Sequence, residues 1–382
     1  MMVVATRLCA CLAILAIVRS TQALDGATMF RPRSKVGRAR HNRGNTATGR
    51  LRFVDEYLLL RERALLIAPG HSATRGVFVD VGVGEAPITT LETARALARH
   101  ALVSSNATAL PVIGVEIDPR RLAQARDWLA ARAISTRVGG DDSGQDEDDM
   151  QDVLEIRGGS FALPLFEGEV ARVCRLMNLF RSGYDEHEIP PALSAVAERL
   201  EPGGIVFEGS SSPSGDLGVA HVLRRVSPPP RAAAAAAEGA LALAPPPLAR
   251  EALLFSVGMA ARHGERGARD GSSGAPPPAS GGAVFHPHAL KKYLPRDLKR
   301  HCREGDATHA FFARWAAARK RAIDAVGGAD RARLPPADLF VLTARALAAA
   351  GEEGLDIDDA LLTRGMLRWA PRGGVPHGGD AA

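Results

Sequence analysis

The sequence predicts an α/β fold in which helices cover both faces of a doubly wound, mostly parallel sheet, followed by a helical C-terminal extension. Short apolar runs alternate with longer amphipathic segments, which indicates strand, helix and strand in repetition. A pair of glycines follows the first apolar run directly, as in open sheets that bind ligands at the carboxyl ends of their strands. With 382 residues, 46% of them hydrophobic, the chain is long enough to bury a core.

The elements are predicted in the following order. Apolar residues at helical spacing from Leu51 onward indicate one or two helices before the sheet. Apolar runs predict strands at residues 77–81, 112–117, 153–156, 170–176 and 204–208. Amphipathic segments predict helices at residues 90–102, 120–133, 186–200 and 215–224. A further apolar run at 252–259 predicts a late strand, and residues 306–350 predict a helical tail.

The N-terminus is predicted to be a leader. Residues 1–23 combine Arg7, an apolar run too short to cross a bilayer and a stretch of small residues, which indicates a secretory signal peptide and no stable membrane span in the mature chain. Residues 24–50 are basic, as in organelle transit peptides. Together they resemble the bipartite leaders of plastids bounded by extra membranes, and a secreted protein with a basic pro-segment is the alternative.

Composition divides the rest of the chain into folded and low-complexity segments. Residues 139–152 hold seven acidic side chains, and they predict a solvated loop because the glycine and closing glutamate of a calcium loop are missing. The predicted segments are a core at 51–226, a linker at 227–250, a strand at 251–263, a linker at 264–282, a helical segment at 283–370 assigned by position to a lid or to binding of the acceptor, and a disordered tail at 371–382.

The charge distribution, the cysteines and the histidines each argue against a class of partner or site. Residues 1–50 carry nine basic residues and one acid, whereas the remainder carries 39 basic and 42 acidic residues. The net charge of +5 therefore belongs to the leader, and no nucleic-acid partner is expected for the fold. Cys174 and Cys302 are isolated outside the leader, so no disulfide framework is predicted. The histidines match no standard metal spacing, so no metal ligands are predicted.

The strongest local motif is the turn after the first predicted strand, with Asp80, Gly82 and Gly84. The third glycine of a dinucleotide fingerprint is replaced by Pro87, which disfavours a nicotinamide cofactor. The Asp-x-Gly-x-Gly pattern resembles the first motif of class I S-adenosylmethionine-dependent methyltransferases, which have a Rossmann-like fold. The resemblance implies S-adenosyl-L-methionine as the cofactor, with Asp80 at the strand end and the two glycines beneath its methionine part.

Two further segments extend the resemblance. Glu116 ends the second predicted strand, and the resemblance implies that its carboxylate binds the ribose hydroxyls of the cofactor. Asp118, two residues later, is predicted to cap the following helix. The run Gly159-Ser160-Phe161 resembles the family's third motif, with a serine in place of the usual acid. Ser160 is expected to hydrogen-bond the adenine, and Phe161 is expected to stack on it.

The segment after the fourth predicted strand lies where methyl donor and acceptor meet in this family. It supplies Asn178 as a further cofactor contact, Arg181 to orient an anionic acceptor, and Tyr184 as a base for acceptors that carry a proton of high pKa. Glu208, in the fifth predicted strand, is the second candidate base. A polar loop that caps the next helix is the alternative for Asn178, Arg181 and Tyr184.

The resemblance implies a methyltransferase acting on an unidentified small molecule or protein. The segments 178–181 and 290–295 also resemble a group of bacterial methyltransferase-like proteins without an assigned substrate. A methyltransferase-fold binding module without catalysis is the main alternative, motivated by Ser160. A nicotinamide or nucleotide-sugar enzyme on a related sheet is the other, and Pro87 disfavours it.

Overall fold

In a computed structural model of the protein, the described residues are 46–66, 74–103, 109–138, 154–181, 184–226, 248–258, 285–326 and 334–371. Several segments that were predicted from the sequence lie wholly or largely outside these described residues. These are the signal peptide 1–23, the basic segment 24–50 up to residue 45, the acidic loop 139–152, the linkers 227–250 and 264–282, and the tail 371–382. Among the described residues, no helix has the length and apolar composition that crossing a bilayer requires.

Up to residue 211 the elements follow the predicted alternation. The first strands are buried at nearly every position, as expected for central parallel strands that are covered on both faces. The elements are α1 (Arg52–Arg61), α2 (Arg63–Leu66), β1 (Arg75–Val81), α3 (Ile88–Val103), β2 (Val112–Glu116), α4 (Pro119–Val138), β3 (Leu154–Gly158), β4 (Glu169–Met177), a 3₁₀ helix (Glu186–Glu188), α5 (Ile189–Arg199) and β5 (Leu200–Ser211).

The remaining elements complete the sheet and cover one of its faces. They are β6 (Leu217–Arg225), β7 (Leu248–Val257), a second 3₁₀ helix (Pro287–Tyr293), α6 (Arg296–His301), α7 (Ala307–Val326), α8 (Pro336–Ala349), β8 (Leu355–Asp356), α9 (Asp359–Leu362) and β9 (Met366–Trp369).

The described strands form one sheet in the order β3-β2-β1-β4-β5-β6-β7-β9-β8. The five strands β1 to β5 pair in parallel, and the later pairs are antiparallel. The prediction of a doubly wound, mostly parallel sheet with helices on both faces is therefore confirmed for the first five strands. The chain runs outward from β1 to β3 and then returns to β4, so the strand order reverses between β1 and β4. Open α/β sheets bind ligands at the carboxyl ends of the strands beside such a reversal.

The prediction of a helix at 215–224 is wrong. These residues form β6, which pairs with β5 in an antiparallel hairpin. Gly215 lies in the connecting turn with φ +79°, a conformation that glycine adopts without steric cost. The strand is buried at six consecutive positions. Such a two-sided apolar run has no periodicity that distinguishes a strand from a buried helix.

Two clusters of buried side chains cover the two faces of the sheet. On one face, α1, α3 and α9 pack on the strands around Tyr57, Phe78 and Phe207. On the other face, the second 3₁₀ helix and α6 to α8 pack on β6, β7 and β9 around Phe255 and Trp315. The C-terminal helices are therefore part of the core of the sheet.

Two boundaries differ from the prediction. Strand β7 begins at Leu248, inside the predicted linker, because it pairs with β6 as far as the Arg225–Leu248 register. In addition, β8 and β9 extend the sheet from a region predicted to be helical. Both differences arise from pairing between strands that are distant in sequence, which local periodicity does not reveal.

Candidate active site

The two glycines after β1 have different structural roles. Both adopt left-handed backbone conformations, Gly82 with φ +79° and Gly84 with φ +73°. A Cβ atom at Gly82 would collide with the side chain of Leu179, which follows β4. A Cβ atom at Gly84 would meet nothing within 4 Å. Gly82 therefore permits the close approach of two loops, whereas Gly84 leaves open space for a ligand to approach the backbone.

Glu116 holds the glycine loop to the end of β2. One carboxylate oxygen accepts a hydrogen bond from the backbone N–H of Gly84 at 2.9 Å, and the other accepts one from the N–H of Asp118 at 3.0 Å. The side chain is buried. An ionised carboxylate has about four acceptor positions, so each oxygen can still accept a hydroxyl. Asp118 caps α4 through the N–H of Arg120, as predicted.

The carboxylate of Asp80 is directed into the core rather than toward the loop. It accepts two hydrogen bonds from the guanidinium of Arg175, at 3.0 and 2.6 Å, and one from the hydroxyl of Thr90 at 2.7 Å. Arg175 has no exposed surface and also donates to Asp55 at 3.1 Å. In the structure Asp80 therefore joins β1 to β4, the two strands between which the strand order reverses.

Sequence reasoning missed Arg175 and Asp55. The available signal was a charged residue near the end of the apolar run that forms β4, because a charge in a buried strand must be paired. Two carboxylates share this one guanidinium. Burial raises the pKa of Asp55 to about 7, and the negative charge of Asp80 adds to this while Arg175 and Thr93 oppose it. The buried cluster is therefore close to neutral when Asp55 carries a proton.

The raised pKa of Asp55 predicts a pH-dependent stability. Because the folded state holds this proton more tightly than the unfolded chain, whose value is 3.8, the free energy of unfolding falls as the pH rises from about 4 to about 7. The slope is at most about 1.4 kcal/mol per pH unit. Asp55→Asn cannot lose a proton, so we expect urea unfolding at several pH values to show this part of the slope removed.

The matched control for this prediction is Asp118→Asn. Asp118 is an exposed cap, and its replacement leaves the buried cluster intact. It should therefore retain the wild-type slope. A wild-type slope in Asp55→Asn would mean that Asp55 is already ionised in the folded protein at pH 4.

Three aromatic rings meet beside Glu116. Phe161 stacks on Phe180 with ring centroids 5.4 Å apart, and Tyr184 contacts the edges of both at 5.5 and 5.4 Å. Phe161 is buried and Ser160 beside it is half-buried, so one face of the predicted stacking ring is already covered by Phe180. This second aromatic partner was not predicted.

Tyr184 is a poor base in this environment. Burial raises the pKa of its hydroxyl, and the negative charges of Glu188 and Glu116 raise it further. The phenol therefore remains protonated at neutral pH and can donate a hydrogen bond.

Asn178 faces the β5–β6 hairpin. It has φ +65°, its N–H donates to the carbonyl of Gly209 at 2.7 Å, and its side-chain oxygen accepts from the N–H of Ser211 at 3.0 Å. The left-handed backbone turns the chain sharply at the end of β4, a conformation in which asparagine is common. Its described hydrogen bonds thus hold the loop after β4 against β5.

The guanidinium of Arg50 contacts this hairpin and is affected by the positive charge of Arg181; we call the two residues the Arg50–Arg181 pair. Arg50 donates to the hydroxyl of Ser211 at 3.2 Å and to the carbonyl of Ser212 at 3.1 Å. Arg181 is exposed and its guanidinium carbon lies 5.5 Å from the ring centroid of Tyr293. Burial and the positive charge of Arg181 lower the pKa of Arg50. Arg50 was predicted to belong to the basic segment 24–50, so the position of Arg50 at this site was not predicted.

Glu208 belongs to a different group of polar side chains. Its carboxyl group clusters with His221 on β6 and Asp297 on α6. Burial raises the pKa of Glu208 well above its usual value, and the negative charge of Asp297 adds to this while Arg250 opposes it. In the described contacts, Tyr184 faces Phe161 and Phe180 whereas Glu208 faces His221 and Asp297, so no contact joins the two predicted bases.

No protein-family profile matches the sequence, and no curated protein matches it. The search of solved structures finds a glycopeptide N-methyltransferase, MtfA, complexed with S-adenosyl-L-methionine, at 17% identity and a TM-score of 0.25, covering 39% of this chain and 47% of that one. The CcbJ methyltransferase from Streptomyces caelestis matches at 16% identity and a TM-score of 0.27, over 56% of this chain and 68% of that one.

An S-adenosylmethionine-dependent methyltransferase from Methanosarcina mazei matches at 17% identity and a TM-score of 0.25, covering 36% of this chain and 53% of that one. The chain thus spans about half the length of MtfA and of the archaeal enzyme. Each of these matches covers part of this chain and part of a methyltransferase structure.

Proposed function

We propose that the protein binds S-adenosyl-L-methionine at the carboxyl ends of β1 and β2 and transfers its methyl group to an acceptor that carries an anionic group. The observation that carries the proposal is the Gly84–Glu116 hydrogen bond beneath open space. It combines a backbone that a ligand can approach with a buried carboxylate at the end of β2, beside the reversal of strand order.

The residues at this edge fit a sulfonium nucleoside. The carboxylate of Glu116 retains acceptor positions for two neighbouring hydroxyls. The rings of Phe161, Phe180 and Tyr184 provide an apolar wall beside it, and the Tyr184 hydroxyl can donate a hydrogen bond. Gly84 leaves the backbone accessible to the ligand. The cofactor, when bound, supplies a methyl group that is already activated for attack.

The remaining task of the protein is to position the acceptor in line with that methyl group, within about 3 to 3.5 Å. Tyr184 holds its proton, and the carboxyl group of Glu208 clusters with His221 and Asp297, so neither predicted base fits the edge. This favours an acceptor that is nucleophilic without losing a proton. The Arg50–Arg181 pair can orient the negative charge of such an acceptor, for example a carboxylate.

Calorimetric titration of the folded protein with S-adenosylmethionine, S-adenosylhomocysteine and NAD tests the proposal. We expect both sulfur nucleosides to bind and NAD to show no binding. Glu116→Ala should weaken the sulfur nucleosides by tenfold or more, about 1.4 kcal/mol, because the ribose contacts are lost. Gly84→Ala should weaken them as well, because its methyl group occupies the open space above the loop.

Asp118→Ala is the matched control, since it removes a neighbouring exposed carboxylate and should bind as the wild type does. No binding by a folded wild-type protein would overturn the proposal. Binding without methyl transfer to any anionic acceptor would favour the non-catalytic binding module. Transfer that survives in Arg50→Ala and Arg181→Ala with unchanged KM would show that the acceptor is held elsewhere.

A further inference from the structure

Three side chains of metal-ligating type meet between the sheet and the C-terminal helices. Glu208 on β5 and His221 on β6 lie directly opposite each other in the antiparallel pair. Asp297, in the first turn of α6, joins them, and one potential ligand atom of each residue lies within 4.8 Å of the others. Glu208 and His221 are only 6% and 2% exposed. The cluster lies on the face covered by α6 to α8, because Asp297 belongs to α6.

The polar atoms of this cluster are poorly satisfied within the part of the chain that the structure describes. Nε2 of His221 lies 3.4 Å from Oδ1 of Asp297, beyond the usual hydrogen-bond range of about 2.7–3.2 Å. Nδ1 of His221 is buried and has no hydrogen-bond partner there. Because Nε2, which faces Asp297, makes only this long contact among the described residues, a bound water or ion beside Nε2 would give it a partner.

The separation of His221 and Asp297 fits metal coordination better than a hydrogen bond. Ligands at about 2.1 Å from a tetrahedral zinc ion are separated by about 3.4 Å, the edge of the tetrahedron. The observed distance between Nε2 and Oδ1 is 3.4 Å. One imidazole and two carboxylates are also a donor set that suits zinc and its first-row neighbours.

The charges around this cluster favour a bound cation. Arg250 binds Oδ2 of Asp297 at 2.6 Å and leaves Oδ1 directed toward His221. The charge of Arg250 balances one of the two carboxylates, so an ionised Glu208 would be buried without a full counter-charge, which is costly. A divalent ion between Glu208 and His221 would supply it.

We propose that Glu208, His221 and Asp297 bind a divalent transition-metal ion, preferentially Zn²⁺, which fastens α6 to the β5–β6 hairpin. Three protein ligands leave the fourth tetrahedral position for water. The ion would connect Asp297 to His221, 76 positions earlier in the chain, and thereby stabilise the packing of the C-terminal helices on the sheet.

Metal content of the full chain tests this proposal. After treatment with a chelator and reloading with Zn²⁺, we expect elemental analysis to find about one ion per chain, and reloading with Co²⁺ to give the d–d absorption of a tetrahedral site. Added Zn²⁺ should raise the Tm of the wild type, because an ion that binds only the folded state stabilises it. His221→Gln and Glu208→Gln should each lose the ion and the Tm increase.

The matched control is the double variant His286→Gln/His288→Gln. These histidines form an adjacent pair, with ring centroids 5.0 Å apart, and His288 is exposed. The double variant should keep the ion and the Tm increase. A folded wild type that binds no ion would overturn the proposal, as would an ion retained by His221→Gln and lost from the double variant. The Tm readout on the wild type needs no substitution, so a variant that fails to fold does not prevent the test.

Discussion

Arg175→Met is expected to lower the free energy of unfolding by about 3–5 kcal/mol, the cost of breaking a buried ion pair by removing one partner. Arg175 has no exposed surface, and it is the cation that faces both Asp80 and Asp55. Methionine fills much of the volume but leaves Asp80 buried without a counter-charge. Urea denaturation followed by circular dichroism at neutral pH measures the loss.

Arg126→Met is the matched control for this loss. Arg126 is exposed on α4 and donates only to the carbonyl of Ile156 in the described contacts. Its replacement should cost no more than about 1 kcal/mol. A similar loss of stability in both variants would contradict the expected importance of the buried ion pairs. The loss would then follow from replacing an arginine with methionine wherever it lies.

Trp315→Ala is expected to lower the free energy of unfolding by a similar 3–5 kcal/mol. Trp315 is fully buried and packs against Phe255 on β7, Phe285 and Phe340, so its removal leaves a large cavity between the sheet and the C-terminal helices. Because these helices share the core of the sheet, urea denaturation should remain a single cooperative transition at a lower midpoint.

Two further tryptophan variants sharpen this test. Trp128 is half-buried on α4, where it contacts the guanidinium of Arg132 at 3.7 Å, and Trp128→Ala should cost no more than about 1 kcal/mol. Trp315→Phe should cost less than Trp315→Ala, because it keeps an aromatic ring and removes a buried indole N–H without a described partner. Two separate transitions in Trp315→Ala would show that the C-terminal helices unfold as an independent unit.

The parts of the fold that could be predicted are those that leave a local signal. The parallel strands appear as apolar runs separated by amphipathic helices, and the turn at Gly82 and Gly84 follows from the need for left-handed backbone. Strand β6 could not be predicted in this way, because it is buried on both faces and lacks the alternation of a half-buried strand.

Residues of the candidate site could be predicted only where their position at the end of a strand is visible in the sequence. Glu116 ends β2, and the carboxyl ends of parallel strands near a reversal of strand order are where open α/β sheets bind ligands. Glu208 also lies on a strand, but its partners His221 and Asp297 come from a hairpin and a helix that no spacing connects to it. Arg50 likewise reaches the site through the β5–β6 hairpin, from a segment whose composition alone suggested a leader.

The antiparallel order of β5, β6 and β7 determines which ends of these strands lie near the glycine loop. Strand β6 ends at Arg225 beside Leu248, at the edge opposite the glycine loop. Strand β7 returns to the near edge, where Gly258 bonds to Asp216 in the β5–β6 turn. A substitution at Gly258 would therefore act on the hairpin that Arg50 contacts, whereas one at Leu248 would act on the opposite edge of the sheet.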